Sequence, residues 1–209
     1  MPKKLRFVDL FSGLGGFHVA MKKLGHKCVL ASEIDDELRK KYITNHRISS
    51  NIVRGDIRDL ISVDHRGEVR TDVPDHDVLC AGFPCQPFSK SGNQKGVLDQ
   101  TRGTLFYDIL KIVKARKPGL IILENVGNFA RHDGGRTWQI VENSLKELNY
   151  FVKGTIPQVD GGHGLISPHH LGYPHHRERF FVIASRWELP DDPFPTKSEC
   201  FRDQPLSSL

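Results

Sequence analysis

Apolar and polar positions along the chain fall into two alternating rhythms. Short apolar runs at residues 6–10, 28–32, 51–54, 78–81, 120–124, 150–156 and 179–185 read as strands, because continuous apolar runs bounded by turn residues suit strands covered on both faces. Between them, residues 16–24, 36–45, 104–115 and 136–148 carry apolar side chains at helical spacing. Strand–helix alternation of this kind predicts an α/β fold with a mostly parallel central sheet. After Trp187 the rhythm stops, and Pro190, Pro193, Pro195 and Pro205 stand in a polar setting. The expected division is therefore a domain over residues 1–188 and a Pro-rich polar tail over 189–209.

Composition narrows the class. A chain of 209 residues with 38% hydrophobic content suits one sizeable domain with a packed core. No apolar run approaches the roughly 18 residues that span a bilayer, so no membrane partner is expected. The run behind the basic N-terminus meets Asp9 too early for a signal peptide, and an intracellular chain is expected. Lys and Arg exceed Asp and Glu by 30 to 25, a surplus compatible with a polyanionic partner. Cys28, Cys80, Cys85 and Cys200 form no Cys-x-x-Cys pair, which argues against a disulfide framework and a zinc site. His163, His169, His170, His175 and His176 match no zinc spacing either, and no metal is expected.

Chemistry-bearing residues gather where the predicted strands end, and open α/β sheets bind ligands outside the carboxyl ends of their strands. The first strand runs into Asp9-Leu10-Phe11-Ser12-Gly13-Leu14-Gly15-Gly16. A glycine-rich turn opening a helix is either a ligand cradle or simply a tight turn. The second strand reaches Glu33, where nucleotide folds place a ribose acceptor, with Asp35 positioned to cap the next helix. Asp56, after the third strand, either accepts from an adenine amino group or closes a turn. The fourth strand enters Gly82-Phe83-Pro84-Cys85-Gln86-Pro87, where two prolines stiffen the presentation of a sulfur. Cys80, inside the apolar run, reads as a packed residue instead. The fifth strand ends at Glu124, which is either a proton donor beside that cysteine or a strand-end acid making helix-cap contacts.

Taken together, these blocks resemble the DNA (cytosine-5-)methyltransferases. The resemblance rests on the stretch from Asp9 to Gly16, on Gly82 to Ser89, on Asp99 through Arg102 to Phe106, on Glu124-Asn125-Val126 and on Arg177-Glu178-Arg179, in family order across roughly residues 5 to 186. It implies a Rossmann-like domain that binds S-adenosylmethionine and methylates carbon 5 of a cytosine flipped out of duplex DNA. Cys85 would be the nucleophile and Glu124 the proton donor, with Arg177 and Arg179 near the target base. Asp9, Phe11, Ser12, Gly13, Leu14, Gly15, Gly16, Glu33, Ile34, Asp56, Ile57 and Pro84 would form the cofactor site. Residues 89–102 resemble a mobile catalytic loop, and Gln86 just before it, with Ser89, Lys90, Ser91, Lys95 and Arg102 of the loop, would meet DNA. A bacterial, cytoplasmic and nucleoid-associated role in restriction–modification is the further implication.

Two departures from the family pattern stand out. The usual Pro-Gln-x-Arg-x-Arg block reads Pro174-His175-His176-Arg177-Glu178-Arg179 here. The family's target-recognition region and closing motif are absent from these 209 residues. One subunit of a split enzyme, with a second polypeptide carrying both, is the expected arrangement. The alternatives are a non-catalytic cofactor- or DNA-binding remnant and a transfer-RNA cytosine methyltransferase.

Overall fold

The computed structural model describes residues 3–84, 105–155 and 164–194. Its chain order begins β1 (Arg6–Leu10), α1 (Gly16–Lys23), β2 (Lys27–Ser32), α2 (Asp36–His46) and β3 (Val53–Arg54). A short hairpin follows, β4 (Ile61–Val63) and β5 (Val69–Thr71), then β6 (Val78–Gly82) and α3 (Leu105–Arg116). The described chain closes with β7 (Leu120–Val126), α4 (Arg136–Glu147), β8 (Phe151–Gly154) and β9 (Arg179–Ser185). Each of the seven expected strands and four expected helices has its counterpart.

Seven strands form one sheet in the order β3-β2-β1-β6-β7-β9-β8. Pairing is parallel from β3 through β7, and β9 lies antiparallel between β7 and β8. The mostly parallel α/β architecture expected from the rhythm is thus present. Strand order reverses between β1 and β6, and a crevice opens at such a switch point.

Alternation along β1 assigns its side chains to the two faces. Val8 and Leu10 join the core cluster that holds Ile109, Ile112, Val113, Val141 and Leu145 from α3 and α4. Phe7 joins Met21 of α1 and Tyr42 of α2 on the other side. Asp9 shares the parity of Phe7, so its carboxylate is carried into the α1–α2 layer.

The sequence pattern missed the β4–β5 hairpin. Its strands have three residues each and are partly exposed, so no apolar run marks them. The turn between them is held by Asp64 Oδ1, which accepts from the amides of Arg66 and Glu68 at 2.9 and 3.0 Å. β7 continues to Val126, two residues past expectation, because β9 pairs with it as far as Val126–Arg179. At the other end of the domain, Phe194 is buried and Lys153 Nζ donates to the Asp191 carbonyl at 2.8 Å. The first residues of the segment expected as a tail therefore lie against the domain. Among the described residues no helix is long and apolar enough to cross a membrane.

A candidate active site at the switch point of the sheet

β1, β6 and β7 end side by side, and a cleft of about 630 Å³ lies over those ends. Phe11, Ser12, Gly16, Phe17 and Ala20 line one wall, and Gly82, Glu124, Arg177, Arg179 and Phe181 line the other. Parallel pairing sets Gly82 directly against Glu124 across β6 and β7. A side chain at position 82 would have its Cβ 3.3 Å from Glu124 Oε2, so a glycine there lets the carboxylate lie over the strand end.

Glu124's other oxygen faces β9. Arg179 Nε lies 2.6 Å from Glu124 Oε1, a charge-assisted contact between two side chains that are each about three-quarters buried. Arg179 Nη1 also donates to the Glu178 carbonyl at 2.8 Å, which fixes the guanidinium plane. Arg177 stands on the same wall, its backbone held where its amide donates to Ser167 Oγ at 2.9 Å.

The opposite wall is the glycine-rich turn. Phe11 has φ of 55°, a left-handed conformation costly for an aromatic residue and of the sort concentrated at ligand sites. Gly13 N donates to Glu33 Oε2 at 2.8 Å and Ser12 N donates to the Ser32 carbonyl at 2.9 Å, tying the turn to the end of β2. Ser12 Oγ is buried on the cleft wall and has no hydrogen-bond partner among the described residues. An unpaired hydroxyl there costs about 1–3 kcal/mol unless a ligand's polar group meets it.

The expected residues divide accordingly. Phe11, Ser12, Gly16, Glu124, Arg177 and Arg179 meet in the cleft. Glu33 braces the turn with one oxygen and accepts from Asp35 N with the other, at 3.0 Å. Asp35 caps α2 through Leu38 N at 2.9 Å, as its position implied. Ile34 is exposed beside Glu33, and Pro84 is exposed at the end of the described β6 segment. Leu14 is also exposed, with its carbonyl turned inward to His46.

Three side chains point elsewhere. Asp9 is 1% exposed and accepts from Tyr42 Oη at 3.0 Å, so its carboxylate does not line the cleft. Burial pushes Asp9 up to about 7, against the lowering effect of the Tyr42 hydrogen bond. Ile57 is buried in the core. Asp56 pairs with Arg58, whose hydrogen bonds hold its carboxyl below the usual range, and it also accepts from the Arg58 amide at 2.9 Å. Cys85, Gln86, Ser89, Lys90, Ser91, Lys95 and Arg102 lie outside the described residues.

Two supporting residues had no role assigned to them from the sequence. Asn125 is buried and donates from Nδ2 to the Phe83 carbonyl at 2.9 Å, joining β7 to the segment that leads to Cys85. Its signal was present, since it follows Glu124 directly. Ser167 orients Arg177 and accepts from or donates to His169 Nδ1 at 2.7 Å, and nothing in its surroundings marks it. His169 stacks on His176 with centroids 4.4 Å apart. Among the described residues, no group of three or more potential ligands could hold a metal ion.

Comparison with known proteins agrees with this geometry. Residues 5–207 match the family described as C-5 cytosine-specific DNA methylase. The chain is 42% identical to the Type II methyltransferase M.HhaI of Haemophilus parahaemolyticus, over 88% of its own length and 50% of the relative's. It is 36% identical to the DNA-cytosine methyltransferase of Escherichia coli K12, over 95% and 46% of the two chains. The chain thus spans about half the length of the curated relatives it matches. Among solved structures, the S. pombe Dnmt2 methyltransferase has a TM-score of 0.63 at 21% identity, covering 90% of this chain and 52% of that one. That likeness concerns the fold.

Proposed function

The chain belongs to the C-5 cytosine-specific DNA methylase family, and on that premise we propose that it is the catalytic portion of an enzyme that methylates carbon 5 of cytosine in duplex DNA. The observation that carries this reading is the convergence of the glycine turn, the β6 end and the Glu124–Arg179 pair on one cleft.

The cofactor is S-adenosylmethionine, and the residues present fit it. The strained Phe11 and the unpartnered Ser12 hydroxyl offer one apolar and one polar contact at the wall of the turn. Glu33 and Ile34 lie at the end of β2, where a ribose and an adenine ring would rest. When bound, the cofactor supplies an electrophilic methyl group.

The chain's own residues prepare the base. A cytosine in a duplex is stacked and closed to attack on its face, so it must be extruded into the cleft. The Cys85 thiolate adds to carbon 6 and forms a carbon–sulfur bond. Glu124 delivers a proton to ring nitrogen 3, so the electron pair displaced by addition accumulates toward carbon 5. Arg179 keeps the Glu124 carboxylate in the orientation this transfer needs, and Arg177 faces the same space. Loss of the carbon-5 proton with expulsion of the Cys85 sulfur frees the product.

A separate polypeptide with the recognition region and closing motif belongs to the same proposal. What supports it is the exposure of two apolar side chains, Leu14 in the turn at 57% and Val19 on α1 at 45%. The setting would be the bacterial cytoplasm, at nucleoid DNA, within a restriction–modification system.

Methyl transfer and covalent trapping on duplexes containing 5-fluorocytosine test the reading, with transfer RNA as a parallel substrate. Trapping lost in Cys85→Ala and kept in Cys80→Ala is expected. Trapping that survives Cys85→Ala, or methylation of transfer RNA alone, overturns it.

A further inference from the structure

Behind the glycine turn, on the side away from the cleft, lies a buried row of polar side chains that the proposed chemistry does not use. Tyr42 and His46 sit four residues apart on one face of α2, and both are buried. Tyr42 Oη donates to Asp9 Oδ2 at 3.0 Å and contacts His18 Nδ1 at 2.8 Å. Since its one proton goes to Asp9, the hydroxyl accepts from His18 Nδ1–H. The His18 ring stacks on the His46 ring, with centroids 4.1 Å apart and planes 20° apart. His46 Nε2 lies 2.9 Å from the Leu14 carbonyl and so donates to it. The row therefore grips the turn at both ends, at Asp9 before it and at Leu14 within it.

Gly15 completes the fit. Its φ is 91°, and a Cβ there would sit 2.0 Å from His46 Nε2. The imidazole occupies the space that any side chain at position 15 would need.

We propose that His46 is a positioning residue for the cofactor turn. Its Nε2–H bond to Leu14 and its packing under Gly15 hold Phe11 to Gly16 in the shape that binds S-adenosylmethionine, and Tyr42 and His18 hold the ring in place. This inference rests on the cofactor reading above.

The test is titration of the full chain with S-adenosylmethionine, alongside hydrogen exchange of the turn amides. His46→Phe keeps a ring but loses the donor, whereas His46→Gln keeps a donor of similar reach. His46→Phe is expected to raise Kd about 10-fold, the effect of one lost hydrogen bond of about 1.4 kcal/mol, and to speed exchange at Ser12 to Gly16. His46→Gln is expected to restore most of both. Equal affinity and equal exchange in wild type and His46→Phe overturn the inference alone. Equal weakening in both variants also overturns it, because the donor would then be irrelevant. A wild-type chain that binds no S-adenosylmethionine, while the turn amides still respond to His46→Phe, overturns the cofactor reading instead.

Discussion

Arg179 Nε lies 2.6 Å from Glu124 Oε1 although the two residues belong to separate, antiparallel strands. Arg179 is registered opposite Val126, so Glu124 is its diagonal neighbour on the same face of the sheet. Because β9 enters the sheet antiparallel, its N-terminal residue reaches the end of the sheet where β1, β6 and β7 finish. The pair exists through that inversion, which brings a guanidinium to a carboxylate at the mouth of the cleft.

Glu124→Gln keeps the size of the side chain and one acceptor but cannot deliver a full proton. Turnover on duplex DNA is expected to fall by about 10²–10⁴. Cofactor affinity should stay within about twofold. Near-normal turnover would remove Glu124 from the role of proton donor.

Gly82→Ala should act on the same carboxylate from below. The added Cβ would stand 3.3 Å from Glu124 Oε2, closer than ordinary contact, so the carboxylate must shift by a few tenths of an ångström. The expected result is a drop in kcat of about 10-fold, since misplacement of roughly 1 Å can cost 100-fold. Melting temperature should change little. A variant with full activity would show that the carboxylate tolerates displacement.

Asp9 and His18 predict opposed effects of pH on stability. Burial raises Asp9 from 3.8 to about 7, so the folded protein holds a proton there that the unfolded chain has released. Stability from this group grows as pH falls from about 7 toward 4, and is lost as pH rises through 7. Burial lowers His18 from 6.5 to about 4, with the His46 and Lys22 charges acting in the same direction. Its contribution runs the other way, falling as pH drops from 6.5 toward 4. Relative to wild type, Asp9→Asn should therefore lose melting temperature on acidification through this window, and His18→Gln should gain it. Parallel melting curves against pH for all three proteins would refute the assignment.

Cys80→Ala should cost about 1 kcal/mol, in the range of a small buried deletion, because Cys80 is fully buried in β6. Burial also pushes its thiol well above the ordinary range, with Asp9 adding to the shift. Alkylation of the folded protein should leave it unmodified. Rapid labelling of Cys80 in a fully folded sample would contradict its place in the core.

Val19→Glu tests the surface beside the turn. Val19 is exposed on α1, so the chain should fold as before. Recovery of methylation on adding a polypeptide with the recognition region should become at least several-fold less efficient. An unchanged titration curve would overturn the proposal that a second polypeptide docks on this face.

The sequence by itself determined the strand–helix rhythm, the mostly parallel sheet and the placement of Phe11, Ser12, Gly16 and Glu124 at strand ends. Those properties depend on apolar period, glycine and local capping, which neighbouring residues along the chain decide. Asp35 is the simplest case, since its cap to Leu38 spans three residues. Only the tertiary structure decided which side of β1 received Asp9 and how His46 came under Gly15. Each depends on partners brought in by another element: Tyr42 from α2, and the packing of α2 behind the turn. Hydrogen bonding and burial between distant segments leave no periodic trace in the residues that make them. Glu124 was legible as a strand-end acid, but its orientation waited on Arg179, which only the antiparallel register of β9 delivers.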